Sequence, residues 1–450
     1  MHLDFLRDVF QEMGPADALV WEGRTYSYAW MLDALEAASA QLDDSGLETG
    51  SVVSLEADFS PRAIATMLAL IERGCVVVPL TESVEDQKPE FREIAEVEWI
   101  LEIDASDGVG VRSTGRRAGH ELMEELRRRG HPGLVLFSSG STGKSKAAVH
   151  DFLPMLEKFK VRRHTLRTIT FLLFDHIGGV NTLLYNLSNG GCIVTVPDRR
   201  PETVCEAIER HRVQLLPTSP TFLNLLLVSH AHRQYDLSSL EIITYGTEPM
   251  PATTLQRIHE LMPDVRLLQT YGLSEVGILR SKSRSSDSLW VKIGGEGFET
   301  RIVDGLLEIK AESAMLGYLN APSPFTDDGW FKTGDVVEVD GEYLRILGRD
   351  SDIINVGGEK VYPAEIEGVL EAIPGVEQAV VTGEPHPLTG QIVKARVKLS
   401  TEEDLSAFRR RMRSLCKGKL ARHKIPQKVE LVSRSMQGSR FKKMRKEHGA

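Results

Sequence analysis

The 450-residue chain has little of the material that several structural classes require. Its four cysteines, Cys75, Cys192, Cys205 and Cys416, are scattered and form no C-x-x-C pair. That pattern argues against a disulfide scaffold or a cysteine metal site and reads as buried apolar thiols. No long apolar run is present: "AIATMLALIERGCVVVPL" is interrupted by Glu72 and Arg73 and is too short to span a bilayer. The opening "MHLDFLRDVFQEMG" carries acids and lacks the apolar core of a signal peptide. The expectation is a cytoplasmic protein with no membrane span. An excess of positive charge is also missing. A net charge of −10 argues against general affinity for nucleic acid, which needs a positive field.

What is present is the composition of an ordinary globular protein, 41% apolar and 26% charged. Three segments repeat one order of elements. "ATMLALIERG" has helical apolar spacing and stops at Gly74, and "CVVVPL" follows as a buried strand. "RPETVCEAIERHRV" leads into "QLLPTS", and "MPATTLQRIHELMP" into "VRLLQTYG". Helix, turn and β-branched strand in succession predict an α/β fold with largely parallel sheets layered with helices. Residues 296 to 347 change character, with short alternating strands around Asp-Gly turns that predict a small antiparallel β subdomain. From about Asp352 the pattern is α+β again, closing on a helix-rich basic end. A boundary near Arg349–Asp352 divides a large amino-terminal domain, 1–350, from a small carboxy-terminal one, 351–450.

Four stretches carry chemistry. In "LVLFSSGSTGKSKAAVH" (134–150) a strand runs into Ser138, Ser139, Gly140, Ser141, Thr142 and Gly143, whose backbone N–H groups and hydroxyls can surround phosphate oxygens between that strand and an expected helix. Lys144 and Lys146 add charge. The resemblance to the Walker phosphate loop fails at its first glycine, where Ser138 stands, and no acidic strand end follows as a partner. "TYGLSEVG" (270–277) groups an aromatic ring, a hydroxyl and a carboxylate: Tyr271 to stack on a base, Ser274 to bind phosphate, Glu275 to hold Mg²⁺. Taken alone, Ser274 with an acid behind it also suits a helix N-cap. "DGWFKTGDVVEVDG" (328–341) presents Asp335 in a tight turn, suited to ribose hydroxyls. "LGRDSDIINVGGEKVYPAEIE" (347–367) holds Arg349, a Gly-Gly turn and a helix starting near Pro363.

In this order and spacing the stretches resemble the adenylate-forming superfamily that unites acyl-CoA synthetases, peptide-synthetase adenylation domains and firefly luciferase. The likeness runs from "ALVWEGRTYSYAWMLDALEAASAQL" to "HKIPQKVELV". It implies a large multi-subdomain amino-terminal domain and a small mobile α+β carboxy-terminal domain. It also implies ATP and Mg²⁺ as cofactors and CoA or phosphopantetheine as acceptor. The first stretch resembles the signature that clamps the β- and γ-phosphates, with Lys146 as its lysine, Ser145 in place of proline and Ala147 in place of glycine. By the same resemblance Gly246, Thr247 and Glu248 border adenine, Tyr271 with Gly272 covers the ring, and Glu275 is the Mg²⁺ ligand. Asp335 binds ribose, Arg349 contacts ribose or phosphate, and Ser351 is the hinge position, where aspartate or lysine is commoner.

The adenylation lysine of the family stands in a G-K-x-x-R signature that this chain lacks. Aligning Gly438 puts Ser439 in the lysine's place. Counting about sixteen residues from Pro426, as in relatives, reaches Lys442 and restores K-x-x-R with Phe441 in the glycine's place. Lys442 is the candidate and Lys443 the second. "FLLFDHIGGVNTLL" (171–184) resembles the acyl-pocket motif, making Phe174, Asp175, His176, Gly178, Tyr245 and Gly246 the expected substrate pocket and His176 a gate or carboxylate neighbour. Asp175 also suggests the ammonium-binding aspartate of amino-acid-activating relatives, whereas the following Gly-Gly suits the acyl/aryl branch. Gly357, Gly358 and Lys360 would border a thiol acceptor tunnel after domain rotation. The reading is an ATP-dependent ligase that activates a small carboxylic acid with loss of pyrophosphate. The acceptor is CoA, the thiol of a free-standing carrier protein, or an amine. A phosphate-loop kinase and a catalytically idle binding protein are the competing readings.

Overall fold

The computed structural model describes residues 2–139, 145–438 and 441–445. Two seven-stranded sheets dominate the first 270 residues. One is parallel over strands Arg266–Gln269, Ile242–Tyr245, Leu215–Thr218, Arg167–Ile169, Cys192–Val194 and Asp17–Trp21. The other is built on the parallel set Gly133–Ser139, Val76–Leu80, Val52–Glu56 and Trp99–Ile103. Strands Val52–Glu56 and Val76–Leu80 are buried at every position, as sheets covered on both faces require. One core joins apolar residues of both sheets with helices Tyr28–Asp44, Pro61–Glu72 and Ile177–Ser188. Helix Pro61–Glu72 begins on a Ser60 cap with proline at its first position, and nearly all its residues are buried. The four cysteines are buried free thiols.

The helix-then-strand segments form as expected, with Pro201–His211 before Leu215–Thr218 and Ala252–Leu261 before Arg266–Gln269. Residues 280–349 build a six-stranded antiparallel sheet. The chain leaves that sheet at Arg349, makes a single exposed turn at Asp350–Asp352 and enters a five-stranded sheet packed on helices Pro363–Glu371 and Leu405–Cys416. Among the described residues the basic end is not helix-rich: after Leu405–Cys416 it holds a short 3-10 turn, strand Lys428–Leu431 and a tight hairpin. That hairpin pairs Gln437 with Lys443, and the Gly438 N–H donates to the Lys442 carbonyl at 3.0 Å. Among the described residues no helix is long and apolar enough to cross a membrane.

A second expectation is corrected. The polar run after Phe137 does not lead into a helix. Strand Ser145–Asp151 returns antiparallel along Gly133–Ser139, with Ser138 opposite Lys146. Apolar residues Ala147 and Val149 of the returning strand are buried in the core on one side of the sheet, which is what holds the run as a strand. A Walker loop is a strand–loop–helix unit, so the geometry removes that reading.

Candidate active site

The candidate residues converge where the antiparallel sheet, the parallel sheet and the terminal hairpin meet. One cavity there is lined by Gly246, Thr247, Tyr271, Asp335, Arg349 and Lys442, among others. Gly272 and Glu248 face it as well. The Tyr271 hydroxyl donates to Asp335 Oδ2 at 2.5 Å, and Arg349 Nε lies 2.7 Å from Asp335 Oδ1. Arg349 also donates to the Thr333 carbonyl at 2.6 Å. Burial and the neighbouring Asp335 charge hold the Tyr271 phenol far above the usual tyrosine range. It therefore remains a donor, with its ring fixed as one wall of the cavity.

Glu275 lies in the turn between the short paired strands Gly272–Leu273 and Gly277–Ile278, so Ser274 starts no helix. Ser274 shares this turn and is half-buried. The Tyr318 hydroxyl donates to Glu275 Oε1 at 2.7 Å, and the Lys146 ammonium stands 5.2 Å from the centre of the Tyr318 ring. Tyr318 thereby links strand Ser145–Asp151, which carries Lys146, to the carboxylate, although no sequence motif points to it. Its signal was weak: it pairs beside Ala148 across 170 residues of chain. Gly140, Ser141, Thr142 and Gly143 lie outside the described residues, as does the side chain of Ser139. Among the described residues no group of three or more His, Cys, Asp or Glu side chains forms a metal cage. A single oriented carboxylate suits Mg²⁺, which commonly takes one or two carboxylates and completes its shell with substrate phosphates and water.

Tyr318→Phe removes the hydroxyl that orients Glu275. A hydrogen bond to a charged group contributes about 1.5–3 kcal/mol. The expected outcome is roughly a tenfold loss of nucleotide-dependent activity and a higher Mg²⁺ requirement, read by titrating the ion at fixed ATP.

Thr247 has a backbone φ of 73°, in the left-handed region that β-branched residues avoid. Its hydroxyl is buried without a hydrogen-bond partner among the described residues, and it lines both the nucleotide-side cavity and a narrow throat. Strain of this kind persists where surrounding structure enforces it, and it clusters at functional sites. The throat, about 10 Å³, is walled by Phe171, Leu172, Leu173, His176, Arg199 and Lys442 besides Thr247. His176 caps helix Ile177–Ser188, with Nδ1 accepting from the Gly178 N–H at 3.1 Å. A neutral ring so bonded carries its proton on Nε2, which is then a donor. Gly179 is required here: a Cβ would fall 1.8 Å from the Leu173 carbonyl oxygen.

Not every expected pocket residue reaches the site. Phe174 is fully buried and meets Phe59 edge-on at 4.9 Å. Asp175 is buried, and its Oδ2 accepts from the Thr81 hydroxyl at 3.1 Å. Tyr245 lies in the core of the parallel sheet. None of the three faces the throat or the nucleotide-side cavity among the described residues. Each is an apolar or hydrogen-bonded part of the wall behind the site. Gly357, Gly358 and Lys360 form an exposed hairpin turn away from it, with φ of 62° and 91° at the two glycines. Ser351 is exposed in the turn between the domains, its hydroxyl 3.3 Å from Asp352 Oδ1.

The two lysines differ sharply. The Lys443 side chain is 9% exposed and lies 2.6 Å from Glu371 and 3.3 Å from Glu367. Burial alone would pull its pKa down, but the charges of Glu367, Glu371 and Glu248 hold it above the ordinary lysine value. Lys442 instead borders both the nucleotide-side cavity and the throat. Glu248 ties the hairpin down: one carboxylate oxygen accepts from the Thr221 N–H at 2.8 Å, the other from the Lys443 N–H at 3.3 Å. Ser219 donates to the Phe441 carbonyl at 2.8 Å.

Comparison with known proteins agrees with this geometry. Residues 6–102 and 84–308 match the model of the AMP-binding enzyme family, and 365–442 match that of the AMP-binding enzyme C-terminal domain. An indoleacetate–CoA ligase of Aromatoleum aromaticum is 28% identical over 92% of this chain and 90% of its own. A feruloyl-CoA synthase of an Amycolatopsis species is 29% identical over 67% of this chain and 66% of its own. The crystal structure of the anthranilate CoA ligase AuaEII with anthranoyl-AMP superposes with a TM-score of 0.80 at 20% identity, covering 99% of this chain and 95% of that one. The family models cover most of the chain, from residue 6 to 308 and from 365 to 442: the chain belongs to the AMP-binding enzymes, the adenylate-forming superfamily.

Proposed function

We propose that this protein activates an acyl or aryl carboxylic acid with ATP, forms the acyl-adenylate with release of pyrophosphate, and transfers the acyl group to the thiol of CoA. The observation that carries the reading is Lys442, placed at the junction of the nucleotide-side cavity and the throat. A carboxylate oxygen attacks the α-phosphorus, the new O–P bond forms, and the bond to the β-phosphate bridging oxygen breaks. No general base is needed, because the acid is already ionised at neutral pH. The barrier is the approach of two anions, and a cation between them stabilises charge developing in the transition state. The Nε2–H of His176 and the Thr247 hydroxyl orient the acid's oxygens. Asp335, Arg349 and Tyr271 hold the nucleoside, while Lys146 and the hydroxyls of its hairpin hold the departing pyrophosphate. Mg²⁺ held by Glu275 would supply further shielding of the phosphates.

In the present arrangement the terminal hairpin lines the site, and Gly357, Gly358 and Lys360 lie exposed in their own hairpin turn. Rotation about Asp350–Asp352, with Ser351 as the pivot, would exchange them for the thiol step. The sulfur then attacks the acyl carbonyl and AMP leaves. The test is exchange of radiolabelled pyrophosphate into ATP with a panel of aliphatic, aromatic and amino acids, followed by thioester formation on CoA. Acid-dependent exchange supports the ligase. Transfer of the γ-phosphoryl group without pyrophosphate, or binding without turnover, would overturn it. Acylation of a carrier protein or an amine in place of CoA would reassign the second step alone.

A further inference from the structure

Phe441 stands where the resembling signature has glycine, and its φ is 50°. Glycine adopts that conformation freely, while any other residue is disfavoured in it. The ring must therefore contribute something that outweighs the backbone. It lies 5.3 Å from the Phe171 ring and 6.0 Å from the Phe222 ring, and the Arg199 guanidinium stands 5.6 Å from its centre. It also forms part of the wall of a cavity of about 780 Å³, together with Trp21, Phe59, Leu172, Leu173 and Arg199. Leu172, Leu173 and Arg199 line the narrow throat as well, so this cavity lies directly behind the throat that Lys442 and His176 border.

Resting on the ligase reading above, we propose that Phe441 is a specificity-determining residue. Its ring presses Phe171 and Arg199 against the throat and closes the acyl cavity only when the terminal hairpin is docked. The acid's carboxylate reaches Lys442 through the throat, so the carbons beside the carboxylate cross its narrowest part. Acids unbranched at that carbon, or with a flat aryl group there, pass; α-branched acids are refused. The same hairpin carries Lys442, so the acid is measured in the conformation that activates it.

The test compares wild type, Phe441→Gly and Phe441→Leu. The readout is pyrophosphate exchange with the best acid of the panel and with its α-methyl analogue. In wild type the ratio of kcat/KM strongly favours the unbranched acid. One methyl group in a fitted pocket is worth roughly tenfold or more, and Phe441→Gly is expected to erase most of that preference. Phe441→Leu keeps part of it. The KM for the unbranched acid rises in Phe441→Gly while the KM for ATP holds, a split that a merely structural role would not produce. An unchanged preference in both variants overturns the proposal and leaves the ligase reading intact. Absence of acid-dependent exchange in wild type, with every acid, overturns both. Should Phe441→Gly fail to fold, Phe441→Leu decides alone.

Discussion

Lys442→Ala is expected to lower acid-dependent pyrophosphate exchange by about 10²–10³-fold, the usual loss when one preorganised donor to a developing charge is removed. The fold is expected to survive, because the side chain borders two cavities rather than the core. The loss falls on kcat more than on the KM for ATP, since the ammonium matters most as charge builds on the phosphorus. Exchange at the wild-type rate in the variant would transfer the role elsewhere. Thioester formation from a supplied acyl-adenylate should be spared, because the proposed rotation takes the hairpin out of the site for that step.

Lys443→Met is expected to damage the protein by another route. Its ammonium neutralises Glu367 and Glu371, both buried in helix Pro363–Glu371. Glu367 keeps Arg445 at 2.8 Å, but Glu371 loses its only described cation. Breaking a buried pair by removing one partner typically costs about 3–5 kcal/mol. The deficit should grow with pH. Burial already holds the Glu371 carboxyl above its ordinary value of 4.5, with the Lys443 charge working against that rise. Without the lysine the carboxyl rises further, so the folded form must take up a proton that the unfolded form has released. The folded state thus loses stability as pH climbs above 4.5. Denaturant unfolding of wild type and variant at acid and neutral pH reads this directly. Equal deficits at both would refute the assignment of Lys443 as the counter-charge.

Local pattern made much of this molecule legible and long-range pairing concealed the rest. Helices Pro201–His211 and Ala252–Leu261 and the strands behind them follow from periodicity, because each carries its own apolar face and turn. The phosphate hairpin does not: a Ser/Gly run after a strand looks alike before a helix or a returning strand, and only partners in the sheet decide. Spacing picked Lys442 from two adjacent lysines, yet nothing local to "FKKMR" says that Lys443 faces two acids some 75 residues earlier. Glu248 was read as an adenine neighbour. Besides facing that cavity, it holds the backbone of Lys443 across 195 residues. Asp175 was ambiguous because the motif fixes neighbours along the chain, whereas its direction depends on Thr81, 94 residues away.

The strand-to-strand geometry of the phosphate hairpin carries a consequence for affinity. In loops that open a helix, the peptide dipoles of the whole helix contribute a fixed positive end close to the anion. Here the segment returns as strand Ser145–Asp151, and the dipoles of neighbouring strands largely cancel. On the proposed reading, attraction for the polyphosphate tail then rests on Lys146 and on the local hydroxyl and backbone N–H donors of the run, without a helix behind them. Such point charges are screened by counterions wherever solvent reaches them. The nucleotide's grip on this protein is accordingly tied to the ionic strength around it.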